Sequence, residues 1–130
     1  MVVSKEYLNQ LSKIILDASI EVHRNLGPGL LESVYEVCLC KELRARKINV
    51  ERQVSVPIVY KCETLDIDYR IDILVEREIV IELKAVEIIL PVHQAQLLIY
   101  MKLADKRLGF LINFNVPKLV DGFKRMVNNF

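Results

Sequence analysis

The sequence predicts an α/β fold in which a mixed sheet carries helices on its faces. Apolar residues recur at helical spacing near the N-terminus, and from about residue 49 the period changes to two. The predicted order of elements is α, α, β, β, β, α, β, α. An antiparallel meander followed by a helical crossover to another strand requires both antiparallel and parallel pairing. The 130 residues predict one domain, spanning 1–130.

Two helices are expected first. Residues 5–24 carry an apolar stripe at helical spacing. The stripe consists of Leu8, Leu11, Ile14, Ile15, Ala18 and Val22. The segment LGPG at 26–29 ends this helix, because Gly and Pro are helix breakers. A second helix follows at about 30–46 and ends in RARK, where cations suit the negative end of the helix dipole.

The meander is predicted over residues 49–86. Residues 49–60 alternate between apolar and polar, and Pro57 within them indicates an edge strand or a bulge. The segment KCET makes a turn, and further strands follow at 65–75 and 79–86, joined through residues 76–78.

The rest of the chain predicts a crossover and a closing helix. Residues 92–104 form a helix that begins near Pro91, and residues 107–114 form the last strand. Residues 117–127 are predicted to be a C-terminal helix, with Pro117 near its first turn.

Composition excludes several classes of protein. Hydrophobic residues make up 52% and charged residues 27%, as in an ordinary globular domain rather than a disordered chain. No apolar run approaches the ~20 residues of a membrane helix, and the N-terminus resembles no signal peptide. We therefore expect a cytoplasmic protein with no membrane partner. Cys38, Cys40 and Cys62 lack disulfide or zinc spacing and are expected to be reduced thiols.

The net charge of +1 does not indicate a nucleic-acid partner. Three local clusters of cations do exist, and each alone is most simply a solvated face. They comprise Arg44, Arg46 and Lys47; Lys102, Lys106 and Arg107; and Lys118, Lys124 and Arg125. A cleft lined by two of them could follow a phosphate backbone.

Charges inside two apolar strands are the main functional signal. Glu82 and Lys84 are two apart on one strand and share a face, and a three-residue turn at 76–78 places Asp72 opposite Glu82. Two carboxylates that close repel each other, and a divalent cation between them would use both as oxygen ligands. Lys84 would then reach a substrate phosphate or a water held by the metal. The alternative is a solvated sheet face with a Lys–Glu pair.

Other polar residues lie where they could join this site. Glu32 follows the segment GPG near the start of the second helix, and Tyr35 is one turn further on. Gln96 and Tyr100 are one turn apart on the crossover helix. For both tyrosines, core packing with the hydroxyl at the rim is the competing interpretation.

Several segments together resemble a known family. GLLESVY at 29–35 matches the motif of the GxxExxY family of small prokaryotic proteins. DYRIDILVE at 68–76, IELKAV at 81–86, HQAQLLIY at 93–100 and LINFNVPKL at 111–119 look like its other signatures. The resemblance covers roughly residues 8–127. That family is placed in the PD-(D/E)XK nuclease-like superfamily, so the resemblance implies a restriction-endonuclease-like αβββαβ core, here with an extra helix at each end.

The resemblance also implies roles for individual residues. Asp72 corresponds to the metal-binding Asp of the second core strand, and Glu82 and Lys84 correspond to the (D/E)xK pair of the third. Glu32 corresponds to the acidic residue of the first core helix. Gln96 and Tyr100 look like the QxxxY element found beside the site in one branch. Ile71 stands where many members have Pro.

The resulting hypothesis is a metal-dependent nuclease that hydrolyses phosphodiester bonds, with DNA the favoured substrate. Asp72, Glu82 and the backbone carbonyl of Leu83 would hold Mg²⁺ or Mn²⁺, and Glu32 would bind through water or help seat a second ion. Lys84 would orient the attacking water, Gln96 would fix the water or the strand, and Tyr100 would contact the backbone or stack on a base.

Two competing hypotheses remain. The first is a binding module that holds nucleic acid or a partner protein on a nuclease-like fold without cutting. The second is a subunit of a larger repair or defence complex. A homodimer would enlarge the cleft, and the apolar first helix, which lies outside the nuclease core, is the expected interface.

Overall fold

Two helices open the chain and pack against one face of the sheet. The computed structural model describes residues 2–130. Helix α1 (Lys5–Leu26) begins where the Ser4 side chain accepts a hydrogen bond from the Tyr7 N–H, at 3.1 Å. Helix α2 (Glu32–Ala45) follows the GPG turn. Both helices lie within two residues of their predicted bounds.

The sheet has five strands in the order of the chain. Strands β1 (Val50–Tyr60), β2 (Glu63–Val75) and β3 (Ile79–Lys84) form the meander, and helix α3 (Pro91–Leu103) leads to β4 (Leu108–Asn113) and then β5 (Phe123–Val127). Strands β3 and β4 are parallel, and the other neighbours are antiparallel. The mixed sheet that the sequence predicts is therefore confirmed.

The core consists of two apolar clusters on opposite faces of the sheet. One lies under α1 and α2, and the other lies under α3, where it is centred on Leu97 and Met101. The α1 stripe contributes Leu8, Leu11, Ile15, Ala18 and Val22 to the first cluster. Because these side chains are buried within the chain, the apolar face of α1 is not available as the dimer interface that the sequence suggested.

The strand that contains Pro57 lies at the edge of the sheet and is irregular, as the sequence predicted. Strand β1 is the outermost strand, and its register with β2 shifts between Pro57 and Val59. Cys38, Cys40 and Cys62 are free thiols, as expected. Within residues 2–130, no helix combines the length and apolar character needed to cross a bilayer.

The predicted C-terminal helix at 117–127 is wrong. A short 3₁₀ helix (Leu119–Gly122) is followed by β5, which pairs antiparallel with β4. Phe123 and Met126 are three apart, which a helix would place on one face. In β5 they point to opposite faces, Phe123 towards the α1/α2 cluster and Met126 towards the α3 cluster. The same spacing therefore fits both structures, and pairing with β4 overrides the local preference.

Gly122 is expected to be essential where the 3₁₀ helix meets β5. A Cβ at this position would lie 2.1 Å from the Asn113 carbonyl oxygen, and backbone cannot yield as a flexible side chain can. We expect Gly122→Ala to lower the free energy of unfolding by about 2 kcal/mol or more in chemical denaturation. The neighbouring exposed Asp121→Ala is the control. Stability of Gly122→Ala within about 0.5 kcal/mol of wild type would contradict the close approach.

Candidate metal site between two strands

Where β2 and β3 separate, two side-chain carboxylates accept the hydrogen bonds that backbone carbonyls accept in the regular part of the sheet. The regular pairs end at Ile73 opposite Ile81, and one further step places Asp72 opposite Glu82. There the Asp72 N–H donates to Glu82 Oε1 at 3.3 Å, and the Leu83 N–H donates to Asp72 Oδ2 at 2.8 Å. The side chains therefore continue the ladder after the backbone pairing has stopped.

Asp72 lies where β1 and β2 both change face. Ile71 belongs to the α3 cluster and Ile73 to the α1/α2 cluster, although alternation would place residues two apart on one face. Gln53 lies opposite Asp72, between the registered pairs Arg52–Ile73 and Val54–Ile71, and has φ of 53°, a left-handed conformation that is unusual for a non-glycine residue inside a strand. This shared irregularity turns Asp72 out of the regular alternation and towards β3.

Burial gives the two acids an unusual protonation state. Glu82 is 9% exposed, and its burial, followed by the charge of Asp72, raises the pKa of Glu82 to about 8. Burial also raises the pKa of Asp72. The hydrogen bond from the Leu83 N–H lowers this pKa, and the charges of Glu36 and Glu32 raise it. In the folded protein at neutral pH Glu82 is therefore mostly protonated, unless a cation replaces the proton.

Lys84 and Tyr100 lie beside the pair. The charge of Lys84, which is half-buried, lowers the pKa of both carboxyl groups, and Lys84 forms no ion pair within residues 2–130. Tyr100 stacks on Tyr69, and burial and the charges of Glu82 and Asp72 raise the pKa of Tyr100. Its hydroxyl is therefore within electrostatic range of the pair.

Gln96 and Glu32 lie further out. Gln96 is exposed one turn before Tyr100, and its side chain makes no hydrogen bond to the described part of the chain. Glu32 begins α2, is exposed, and lines a pocket of about 390 Å³ with Ala85, the residue after Lys84. No three His, Cys, Asp or Glu side chains converge as a metal-ligand cluster among residues 2–130, so Glu32 does not join Asp72 and Glu82 directly.

The remaining donor atoms suit a hard divalent cation. Asp72 Oδ1 and Glu82 Oε2 receive no hydrogen bond from residues 2–130, because only the other oxygen of each carboxylate does. The Leu83 N–H points towards β2, and the carbonyl of a strand residue points to the same side as its N–H. Two carboxylate oxygens and one backbone carbonyl oxygen are the ligand types that Mg²⁺ and Mn²⁺ prefer.

Two residues near the Asp72–Glu82 pair were not predicted from the sequence. The Tyr69 hydroxyl donates to Glu82 Oε1 at 3.1 Å. Glu36 is buried one turn after Glu32, and it receives hydrogen bonds from Arg52 Nε at 2.9 Å and Gln53 Nε2 at 2.8 Å. The four-residue spacing of Glu32 and Glu36 places them on one face of α2, which was the available signal for Glu36. Nothing in the sequence distinguished Tyr69.

Tyr35 has a structural role, as the core-packing alternative predicted. It is fully buried and stacks on Phe114 with ring centroids 4.4 Å apart. Its hydroxyl donates to the Gly27 carbonyl at 2.6 Å and accepts from the Leu30 N–H at 3.1 Å. The tyrosine therefore fixes the GPG turn, and with it the start of the helix that carries Glu32.

The comparison with protein families gives one result. A family model described as the PD-(D/E)XK nuclease superfamily matches residues 9–126. The chain therefore belongs to the PD-(D/E)XK nuclease superfamily, and the elements from α2 to β4 are its restriction-endonuclease-like αβββαβ core. No curated protein and no solved structure matches the chain.

Without metal, stability is expected to fall with rising pH because of Glu82. Between pH 4.5 and about 8 the folded protein keeps a proton that the unfolded chain has released, so unfolding becomes easier as pH rises through this window. Glu82→Gln imitates the protonated acid. At the upper end of the window it should unfold less readily than wild type in denaturant titrations, by on the order of 3 kcal/mol.

The control for this prediction is Glu63→Gln, which changes an exposed glutamate on the same sheet. It should follow the wild-type pH profile. If wild type and Glu82→Gln lose stability in parallel over the whole window, the raised pKa is contradicted.

Proposed function

We propose that this protein is a nuclease that hydrolyses phosphodiester bonds in DNA with the help of Mg²⁺ or Mn²⁺. The observation that carries the proposal is the joined pair of Asp72 and Glu82, with Lys84 one pleat further along β3. Membership of the nuclease superfamily supports it, because nucleases of this superfamily generally use divalent metal ions. The motif GLLESVY further supports assignment to the GxxExxY family within the superfamily.

Each residue then has a part in holding metal or substrate. Asp72, Glu82 and the Leu83 carbonyl hold the ion, which supplies polarisation of the scissile phosphate and activation of the attacking water. Glu32, across the pocket from Ala85, assists through water or at a second ion. Lys84 stabilises the negative charge that develops on the phosphate during attack.

The two aromatic rings beside Glu82 position this arrangement. Tyr69 holds Oε1 of Glu82 by a hydrogen bond, which leaves the second oxygen free to bind a cation. Tyr100 stacks on Tyr69 and contacts the sugar–phosphate backbone or a base of the DNA strand. Gln96, one helical turn before Tyr100, fixes the attacking water or the DNA strand by hydrogen bonds. The free thiols of the three cysteines suit action in the cytoplasm.

A competing proposal is a domain that binds nucleic acid, or a partner protein in a repair or defence complex, without cutting. The position of Glu32 favours it, since residues 2–130 supply only two converging carboxylates. The presence of Asp72, Glu82 and Lys84 together favours the nuclease, because a half-buried acid beside a buried one is costly without a role. A homodimer remains compatible with either proposal.

Metal binding should depend on Asp72. Asp72→Asn keeps an oxygen acceptor for the Leu83 N–H but removes the charge that attracts the ion. We expect calorimetric titration with Mn²⁺ or Mg²⁺ to show binding to wild type and none to the variant, and DNA cleavage to fall at least about a hundredfold. A titration with a short oligonucleotide present covers an ion that enters with substrate. Equal metal binding by both proteins would refute the site.

Lys84 should affect cleavage without affecting the metal. Lys84→Met preserves the length of the side chain and removes its charge, so we expect kcat to fall by about a hundred- to a thousandfold while the metal affinity stays within a few-fold of wild type. Single-turnover cleavage rates at saturating metal would measure this. Exposed Lys13→Met is the matched control. Full activity of Lys84→Met would contradict its role.

A further inference from the structure

A pocket lined by cations lies between the outer side of α2 and strand β1. Its volume is about 640 Å³. It is lined by Val37, Cys40, Lys41, Arg44, Ala45 and Arg52, so it contains three cations and no carboxylate. We propose that Lys41, Arg44 and Arg52 bind a phosphate group of a DNA strand at this pocket, outside the Asp72–Glu82 site. The choice of ligand rests on the proposed nuclease function.

Two of the three cations of the pocket lack anionic partners. Lys41 and Arg44 are exposed, lie three residues apart on one face of α2, and form no ion pair within residues 2–130. By contrast, Arg24, Arg46 and Arg77 each pair with a nearby glutamate. Like charges within one helical turn repel, so an external anion would relieve the repulsion.

Arg52 is oriented for such an anion. Its Nε donates to Glu36 Oε2, and its Nη2 lies 2.7 Å from the same oxygen. A guanidinium has five N–H donors in a rigid fork, so this pairing leaves the Nη1 donors for the pocket. Glu36 accepts hydrogen bonds from both Arg52 and Gln53, so it holds Arg52 in place and balances its charge, whereas the charges of Lys41 and Arg44 stay uncompensated in the pocket.

Two of the cations converge above Cys40, because Arg44 from α2 and Arg52 from β1 line the same pocket with it. Cys40 is fully buried beneath the pocket, and burial raises the pKa of its thiol. The charges of Arg44, on α2, and Arg52, on β1, both act in the opposite direction on this pKa. The two guanidinium groups thus approach the same point from two elements, which a scattered solvated face would not produce.

Strand β1 leads from the pocket towards the carboxylate site. Gln53, next to Arg52, lies opposite Asp72, between the registered pairs Arg52–Ile73 and Val54–Ile71, and its side chain donates to Glu36. A strand whose scissile phosphate lies at Asp72 and Glu82 would pass Arg52 towards α2. The pocket would therefore hold a neighbouring phosphate and set the direction of the strand.

The test is DNA binding by metal-free protein. Fluorescence anisotropy in EDTA, with a short labelled oligonucleotide, measures affinity over a series of salt concentrations. We expect Lys41→Ala/Arg44→Ala to bind about tenfold more weakly at low salt, and the slope of log K against log salt to become shallower by about one. Both side chains are exposed, so the fold should survive, and a far-UV spectrum would check it.

The control removes the same charge elsewhere. Lys5→Ala/Lys13→Ala changes two exposed lysines on α1 that belong to none of the cation clusters, and it should bind as wild type does. If the pocket variant and the control have equal affinities and slopes, or if wild type binds no oligonucleotide at low salt, the pocket is refuted.

The phosphate bound at the pocket could come from the 5′ end of the strand or from within it, and oligonucleotides with and without a 5′-phosphate distinguish the two. A pocket effect that requires the 5′-phosphate identifies a terminal phosphate, and an effect of equal size on both identifies an internal one. Because the measurement needs no metal, failure of the pocket and failure of the nuclease proposal are separable. The first would appear as unchanged DNA binding, and the second as absent metal binding by wild type.

Discussion

The hydrogen bond from the Leu83 N–H to the Asp72 carboxylate is the interaction on which the site depends. It keeps β2 and β3 together after their backbone pairing has ended. The acceptor is the Asp72 side chain, which the proposed metal site also requires. The return bond from the Asp72 N–H to Glu82 makes the join reciprocal. Since an unpaired buried N–H is costly, both acids serve the fold as well as the proposed chemistry, which explains why charges stand inside two apolar strands.

The same join creates an electrostatic conflict that the surroundings only partly relieve. The half-buried Asp72 and the buried Glu82 lie side by side, and burial, followed by the charge of Asp72, raises the pKa of Glu82 to about 8. Lys84 compensates from β3, whereas Glu36 and Glu32 add negative charge from α2. Such a balance costs stability in the metal-free protein and favours a divalent cation, the usual compromise between stability and function at a site.

The sequence predicted the elements whose signals are local, and it missed those that depend on distant contacts. The three-residue turn after β2 was enough to place Asp72 opposite Glu82, and the period change located the meander. Strand β5 was missed because Phe123 and Met126 have helical spacing, and only pairing with β4 distinguishes the two structures. Glu36 was not among the residues that the sequence singled out, because its partner Arg52 lies 16 residues away and only the fold brings the two together.

Glu36 shows how the two proposed sites would influence each other. Its charge is shared between Arg52, which faces the basic pocket, and Asp72, whose pKa it raises. A phosphate that engages Arg52 would weaken the compensation of Glu36 and increase the negative potential at Asp72, where a cation would then bind more tightly. Coupling of this kind is reciprocal, so a bound cation would favour the phosphate equally. The buried glutamate would thereby link the proposed recognition of the strand to assembly of the proposed metal site.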